Sequence, residues 1–175
     1  MEDIRYPIGR FQWTGPATEE QRQAWIEDLD ETPARLRAAV AGLMPEQLDT
    51  PYRPGGWTLR QVAHHLADSH MNAYVRFRLA LTEDCPTIKP FDQDRWAELV
   101  DARLMPVEVS ATLLEALHAR WVTLLRSLRP EDFQRTYYHP QHQKTFTLEY
   151  LLAQFAWHGR HHVAQITTFR QRMGW

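Results

Sequence analysis

The sequence has little cysteine, no long apolar run and no excess of charge of one sign. Cys85 is the only cysteine among 175 residues, so an intrachain disulfide is excluded and we expect a reducing compartment. The sequence contains no continuous run of about 18 apolar residues, and its first residues lack a basic segment followed by an apolar one. These absences predict neither a membrane span nor a secretory leader, and we expect a cytoplasmic protein.

The charge balance excludes several classes of partner. Twenty basic and 22 acidic residues give a net charge of -2, which offers no electrostatic reason to bind nucleic acid or an anionic membrane surface. No low-complexity tract or glycine-rich linker divides the chain, so residues 1–175 are expected to form one domain. Small molecules or other proteins are the expected partners.

What the sequence does contain is helical periodicity, because apolar residues recur every three or four positions. Thr18, Thr58 and Thr147 are the expected N-caps. The predicted helices cover residues 19–42, 59–81, 110–129 and 148–172. Pro33 lies inside the first of them, where a kink or split is expected. Four amphipathic helices predict an all-α fold, a four-helix bundle with long connections and a non-sequential helix order.

Two connections are unusual. Residues 82–106 are rich in proline and turn residues and are too long for a simple connector, and one short helix over 92–100 is predicted there. Residues 137–143 are predicted to form a polar, aromatic loop before the last helix. The role of the first connection stays open at this point.

The last predicted helix contains AWHGRHHVA, with three histidines in five residues. His158 and His162 are four residues apart and share a face with Leu151 and Phe155, the apolar stripe that must point into the bundle. His161 falls on the flank of that face. Two inward imidazoles at this spacing suit a shared cation. The alternative is a buried histidine hydrogen-bonded to a backbone carbonyl.

A third ligand would come from the second helix, where QVAHHLADSH offers His64, His65 and His70. Facing helices of a bundle commonly build a metal site from inward side chains. His65 lies at the edge of the apolar face, and Asp68, one turn away, is a candidate acceptor that would orient an imidazole. The alternative for Asp68 is a solvated carboxylate.

Several motifs carry a resemblance to a known family. The segment PYRPGGWTLRQVAHHLADSHMNAYVRFRLALTED, the motifs YYHP and WHGRHHVAQI…RMGW, and the opening RYPIGRFQ resemble the YfiT subfamily of the DinB-like four-helix bundle proteins. The resemblance spans essentially the whole chain. It implies a metal-dependent hydrolase, or a relative of thiol S-transferases that use bacillithiol. It also implies one zinc or nickel ion per chain, held by His65, His158 and His162, and a homodimer.

Three neutral histidines would leave the ion an open position, as in catalytic rather than structural zinc sites. No acidic residue lies between His158 and His162, unlike the glutamate of the H-E-x-x-H peptidases, and a metal-bound thiolate needs no such base. We therefore expect transfer of a small thiol to an electrophile. Hydrolysis by metal-bound hydroxide and a non-catalytic metal-binding bundle are the alternatives.

Other side chains have predicted roles in this chemistry or in assembly. Asn72 and Arg76 lie on the His65 face and are candidates to hold carboxylates or hydroxyls of a polar thiol cofactor. Trp13, Trp96 and Trp175 lie outside the four apolar stripes, a pattern that suits a dimer interface.

Overall fold

The computed structural model describes residues 4–175. Within that part of the chain the elements, in order, are α1 (Glu19–Val40), α2 (Pro45–Leu48), α3 (Leu59–Thr82), α4 (Gln93–Ala97), α5 (Val100–Leu104), α6 (Val107–Arg126), a 3-10 helix (Pro130–Gln134), β1 (Thr136–His139), β2 (Lys144–Thr147) and α7 (Leu148–Met173). Among residues 4–175, no helix has the length and apolarity that crossing a membrane requires.

Helices α1, α3, α6 and α7 form the four-helix bundle that the periodicity predicts. Helices α6 and α7 each pack against both α1 and α3, so α1 and α3 occupy opposite corners although they are consecutive long helices. The connections between them are long enough to allow this non-sequential order. The predicted fold class is confirmed.

The predicted helix starts are correct where a side chain caps the first turn of the helix. Thr18 and Thr58 each accept a hydrogen bond from the third helical amide, and Gln21 and Gln61 return one to the cap amide. Thr147 accepts from the Tyr150 amide at the start of α7. These bonds satisfy amides that have no partner inside the helix, which fixes where each helix begins.

Two predictions of local structure were wrong, and a third is narrowed to one alternative. Helix α6 begins at Val107 rather than near Ser110, because Pro106 has the extended backbone of an N-cap and needs no side-chain cap. The split that was one of the two expectations at Pro33 is absent, because α1 runs through this residue to Val40, and the kink stays a prediction. The stretch 92–100 holds parts of two short helices, since α4 ends at Ala97 and α5 begins at Val100.

The predicted loop 137–143 was also wrong in part, because it belongs to an antiparallel hairpin. Strands β1 and β2 pair from Thr136 opposite Thr147 to His139 opposite Lys144. The amide of Tyr138 donates to the carbonyl of Pro86, which ties the hairpin to the long connection after α3. The hairpin and that connection therefore form one wall beside the bundle.

The apolar core consists of two clusters. The one nearer the hairpin includes Leu29, Phe77, Trp121, Leu148 and Phe155. The other includes Leu36, Leu59, Leu66, Leu114 and Ile166. On α7 the three histidines lie between the residues of the two clusters, and His70 does so on α3, so the bundle contains a largely buried polar layer at mid-height.

The tryptophans singled out for a dimer interface all pack within the chain. Trp13 contacts Trp25 and Tyr150, and Trp175 contacts Phe169. Trp96 packs on Phe91. Their sequence positions outside the stripes are thus explained by contacts that extend the core, and the homodimer stays a prediction.

Candidate metal centre

Three histidines from two helices meet in the polar layer. His65 on α3 and His158 and His162 on α7 each offer one ring nitrogen, and these three atoms lie within 4.8 Å of one another. His65 and His162 are 4% and 8% exposed. The structure thus brings together the three residues that the spacing and the family resemblance single out.

A chain of hydrogen bonds fixes the ring state of His158. The backbone carbonyl of Leu29 can only accept, so Nδ1 of His118 donates to it. Nε2 of neutral His118 then accepts from Nδ1 of His70 at 2.9 Å. Nε2 of His70 in turn accepts from Nδ1 of His158 at 3.2 Å. We call His70 and His118 the imidazole relay. It leaves Nε2 of His158 with a free lone pair.

His162 is fixed in the same way by a different partner. The side-chain amide of Gln165 donates from Nε2 to the Arg5 carbonyl, so its Oε1 is the acceptor that faces Nδ1 of His162 at 2.8 Å. Nδ1 of His162 therefore carries the proton. Nε2 of His162 has a free lone pair, like Nε2 of His158.

These two lone pairs face each other, since the two Nε2 atoms are 3.1 Å apart. With both Nδ1 protons assigned elsewhere, neither neutral ring has a proton to place between them. Two acceptors held at this separation need a cation, and imidazole nitrogen is a ligand of zinc, nickel and copper. The residues present therefore fit a divalent metal ion.

The protonation states also fit metal binding. Burial lowers the pKa of His65 to about 3, and burial lowers the pKa values of His158 and His162 well below the ordinary histidine value. All three rings are neutral at pH 7, and the neutral ring is the form that binds a metal. An ion bound at this site would keep its full charge, because the three neutral rings carry no charge.

The contact between α1 and α7 sets the position of this site along the bundle. Gly159 follows His158, and a Cβ atom at this position would lie 2.7 Å from Oγ1 of Thr32. That hydroxyl is held in place because it donates to the Asp28 carbonyl. Glycine thus lets the helix carrying two of the three histidines approach α1 closely.

A large cavity of about 530 Å³ opens beside the three histidines. Its wall is mixed, with aromatic, basic and acidic side chains that include Tyr6, Tyr52, Arg53, Trp57, Asp94 and Trp157. A smaller cavity of about 200 Å³ lies against the hairpin. His158 and Gln93 line both cavities, so the histidine site borders two compartments.

The role of residues 82–106, which the sequence left open, follows from these cavities. Pro90 and Phe91 line the small cavity, Asp94 lines the large one, and Gln93 lines both. The amide of Gln61 donates to the Ala97 carbonyl and anchors this segment on α3. The long connection is therefore the outer wall of the site.

The remaining histidines of α3 and α7 make other contacts. His64 contacts Oγ of Ser110 at 2.6 Å and the Met105 carbonyl at 3.0 Å, so both its nitrogens are occupied away from the site. His70 is fully buried in the relay. His161, expected on the flank, is buried, stacks on Trp157 and accepts at Nε2 from Gln165.

The predicted orienting role of Asp68 is not what the structure shows. Its carboxylate has no hydrogen bond to an imidazole among the described residues, and burial and the nearby Asp101 raise its pKa to about 6. Asn72 donates to the Asp68 carbonyl and lines neither cavity. Arg76 does line the small cavity. The partners that the structure shows for the metal-site rings are His70 for His158 and Gln165 for His162.

The sequence reasoning missed His118 and Gln165. His118 occupies a position of the α6 stripe between Leu114 and Trp121, with spacings of four and three residues, and it is 1% exposed. A histidine inside an apolar stripe was therefore the available signal. Gln165 is three residues after His162 on the same helix face, but no pattern distinguishes it from a surface amide.

Comparison with known proteins agrees with this site. The sequence profile of the DinB superfamily matches residues 28–166. The chain belongs to the DinB superfamily. A protein of Bacillus cereus and one of Bacillus mycoides, each named as a candidate metal-dependent hydrolase, are 53% and 52% identical over 175 residues, with all of both chains covered.

A solved structure extends the likeness to three dimensions. The structure of YfiT from Bacillus subtilis, described as a candidate metal-dependent hydrolase with an unusual four-helix bundle topology, superposes with a TM-score of 0.96. The two chains are 49% identical, and 98% of each is covered. This member of the superfamily is thus YfiT-like in sequence and fold, and a candidate metal-dependent hydrolase.

Proposed function

We propose that the chain is a metal-dependent hydrolase that acts on a small molecule in the large cavity. The observation that carries the proposal is the pair of Nε2 lone pairs, 3.1 Å apart, at the edge of that cavity. When bound, a divalent ion at three neutral imidazoles supplies a Lewis acid with an open position, which activates water near neutral pH.

The protein residues around the site have separable tasks. The imidazole relay and Gln165 hold the rings of His158 and His162 in one orientation. Trp57 packs on His65, with the ring centroids 4.5 Å apart, and covers that ligand from the cavity side of α3. Asp94 is the carboxylate on the cavity wall and is the candidate proton acceptor.

The test is turnover of a small ester without added thiol. Wild type loaded with zinc or with nickel is expected to hydrolyse 4-nitrophenyl acetate faster than metal-free protein, and His158→Ala is expected to lose this activity. His64→Ala is the matched control, because His64 is buried on α3 but binds only Ser110 and Met105. Equal rates with and without metal would contradict the proposal.

Thiol transfer is the second candidate, and two observations favour it. Among the described residues that line the two cavities, the carboxylates are limited to Asp94, which is exposed and is not part of the histidine cluster. Two compartments that share His158 also suit a reaction of two substrates. A thiol is acidic enough to lose its proton without a strong neighbouring base.

Loss of thiol in the presence of 1-chloro-2,4-dinitrobenzene distinguishes the two candidates. Thiol transfer predicts metal-dependent consumption of both reagents and no ester turnover. Hydrolysis predicts metal-dependent ester turnover and no metal-dependent consumption of the thiol. A bundle with only a structural metal predicts neither activity, together with a large loss of thermal stability when the metal is removed.

The metal identity and the oligomeric state belong to the same proposal. We infer one zinc or nickel ion per chain, because imidazole ligands suit both metals. Elemental analysis of protein purified without chelator tests this. The homodimer is tested by light scattering after size exclusion, and a mass near 20.7 kDa would contradict it.

A further inference from the structure

The small cavity beside the metal centre is lined by groups that donate hydrogen bonds. Its polar lining residues include Arg76, Tyr137, His139, His142, Tyr150 and Gln154, and no acidic residue is among its described lining residues. The strands of the hairpin place Tyr137 and His139 two residues apart on β1, so both face the same side. The cavity is therefore basic and rich in donors.

Arg76 lies in this cavity without a carboxylate partner. None of the ion pairs among residues 4–175 includes it. Its Nε is buried and has no hydrogen-bond partner, and its Nη2 donates only a long bond of 3.4 Å to the Lys89 carbonyl. A partly buried guanidinium with free donors is costly unless an anion compensates it.

The neighbours of Arg76 do not supply that anion. Burial raises the pKa of Tyr137 far above its ordinary value, so its hydroxyl stays protonated and available as a donor. Burial, His142 and Arg76 lower the pKa of His139 to about 4, so this ring is neutral. Nδ1 of His139 is also buried without a partner. The cavity thus holds the positive charge of Arg76 and two buried polar atoms without hydrogen-bond partners, Nε of Arg76 and Nδ1 of His139.

We propose that this cavity binds the carboxylate group of a small organic acid, held by Arg76 and positioned next to the metal centre. A planar guanidinium matches a planar carboxylate through two parallel hydrogen bonds, and one positive charge matches a monoanion. Because His158 lines the cavity, the other atoms of a molecule bound there would lie near a residue of the candidate metal centre. The binding of a carboxylate by Arg76 does not depend on the proposed function. Only the use of the bound molecule in catalysis rests on that function.

The binding test uses benzoate, with benzamide as the neutral molecule of the same shape. Isothermal titration of metal-loaded wild type is expected to show benzoate binding that exceeds benzamide binding at least tenfold. Arg76→Gln is expected to remove that preference. Arg78→Gln is the matched control, since Arg78 is exposed on the same helix and donates to the Tyr74 hydroxyl.

Two further arms keep the test decisive. Benzoate binding is expected to persist in metal-free protein, because Arg76 rather than the ion is the partner. Binding that disappears with the metal, equal binding by Arg76→Gln, or equal binding of benzamide would each overturn the proposal. Tighter binding of inorganic phosphate than of benzoate would also overturn it, because it would assign a different anion.

Turnover assays distinguish whether the substrate or the thiol carries the carboxylate. If the substrate carries it, wild type hydrolyses monomethyl succinate better than dimethyl succinate, and Arg76→Gln removes the difference. If a thiol carries it, 3-mercaptopropionate outperforms 2-mercaptoethanol in the transfer assay. Benzoate binding without any turnover would contradict the proposed function alone, whereas turnover that is indifferent to Arg76 and to the carboxylate would contradict this inference alone.

Discussion

The two groups of buried histidines in the polar layer differ in what their nitrogens do. In the imidazole relay, every ring nitrogen of His70 and His118 has a hydrogen-bond partner, and the chain ends at the Leu29 carbonyl. In the group of His65, His158 and His162, the facing nitrogens of His158 and His162 are both acceptors. His65 and His162 are buried like the two relay histidines, and His158 is only half-buried, so burial does not identify a metal ligand. The unfilled acceptor positions of His158 and His162 identify the metal ligands instead.

The largest expected effect comes from removing one of the facing acceptors. His158→Ala or His162→Ala should lower zinc affinity by more than about 100-fold, because two ligands cannot hold the ion as three do. Competition with a fluorescent chelator measures the affinity. His64→Ala, the control from the same layer, should bind zinc like wild type. Equal affinity in all variants would remove the distinction between the two groups.

The next effect comes from the relay itself. His118→Leu leaves Nδ1 of His70 without its acceptor, and the ring of His158 loses its fixed orientation. Loss of such a supporting partner typically costs about 10- to 100-fold in metal affinity. Nitrogen chemical shifts of the imidazoles, which report the protonated atom, should show His158 protonated at Nδ1 in wild type. Protonation of His158 at Nε2 in metal-free protein would contradict the relay.

The close contact that positions α7 gives a stability effect. Gly159→Ala should destabilise the fold by about 1 to 3 kcal/mol, because the added methyl meets Thr32 and the helices must move apart. Urea unfolding of the metal-free protein measures the change. The double variant Gly159→Ala with Thr32→Ala, which removes both Oγ1 and Cγ2 from the contact, should lose less stability relative to Thr32→Ala alone than Gly159→Ala loses relative to wild type. An equal loss in the two backgrounds would show that the contact with Thr32 is not the cause.

The smallest effect is on the pH dependence of stability. Burial lowers the pKa of His118 to about 4 in the folded protein, whereas the unfolded chain has the ordinary value of about 6.5. The unfolded state binds the proton first as pH falls, so stability decreases from about pH 6.5 toward pH 4. Between pH 6.5 and pH 5 this histidine should account for on the order of 1.5 kcal/mol. His118→Leu should show a shallower slope, and an unchanged slope would contradict the prediction.

The periodicity of single helices predicted the histidine pair and the helix caps, and the family resemblance added His65 from a second helix, whereas the supporting contacts between elements were missed. The spacing of His158 and His162 is a property of α7 alone, and the caps at Thr18, Thr58 and Thr147 are local hydrogen bonds. The relay joins α3, α6 and the α1 backbone, so it depends on helix packing. The surroundings of Asp68 depend on packing in the same way, because its neighbour Asp101 comes from the long connection.

The hairpin and the small cavity were also beyond sequence reasoning. Tyr137 and His139 lie in a stretch with two histidines and a proline, which favours a loop prediction. Their pairing with β2 and the bond from Tyr138 to Pro86 turn that stretch into a strand. Arg76 was recognised as a polar candidate, but its lack of a carboxylate partner can be seen only when its surroundings are known.

Anomalous diffraction at the metal edge, from crystals of protein purified without chelator, tests the central claim most directly. The account predicts one peak per chain, about 2.1 Å from one ring nitrogen of each of His65, His158 and His162. His70 and His118 should make no contact with that peak. A peak bound by the relay histidines, or full metal content in protein with His158→Ala and His162→Ala combined, would contradict it.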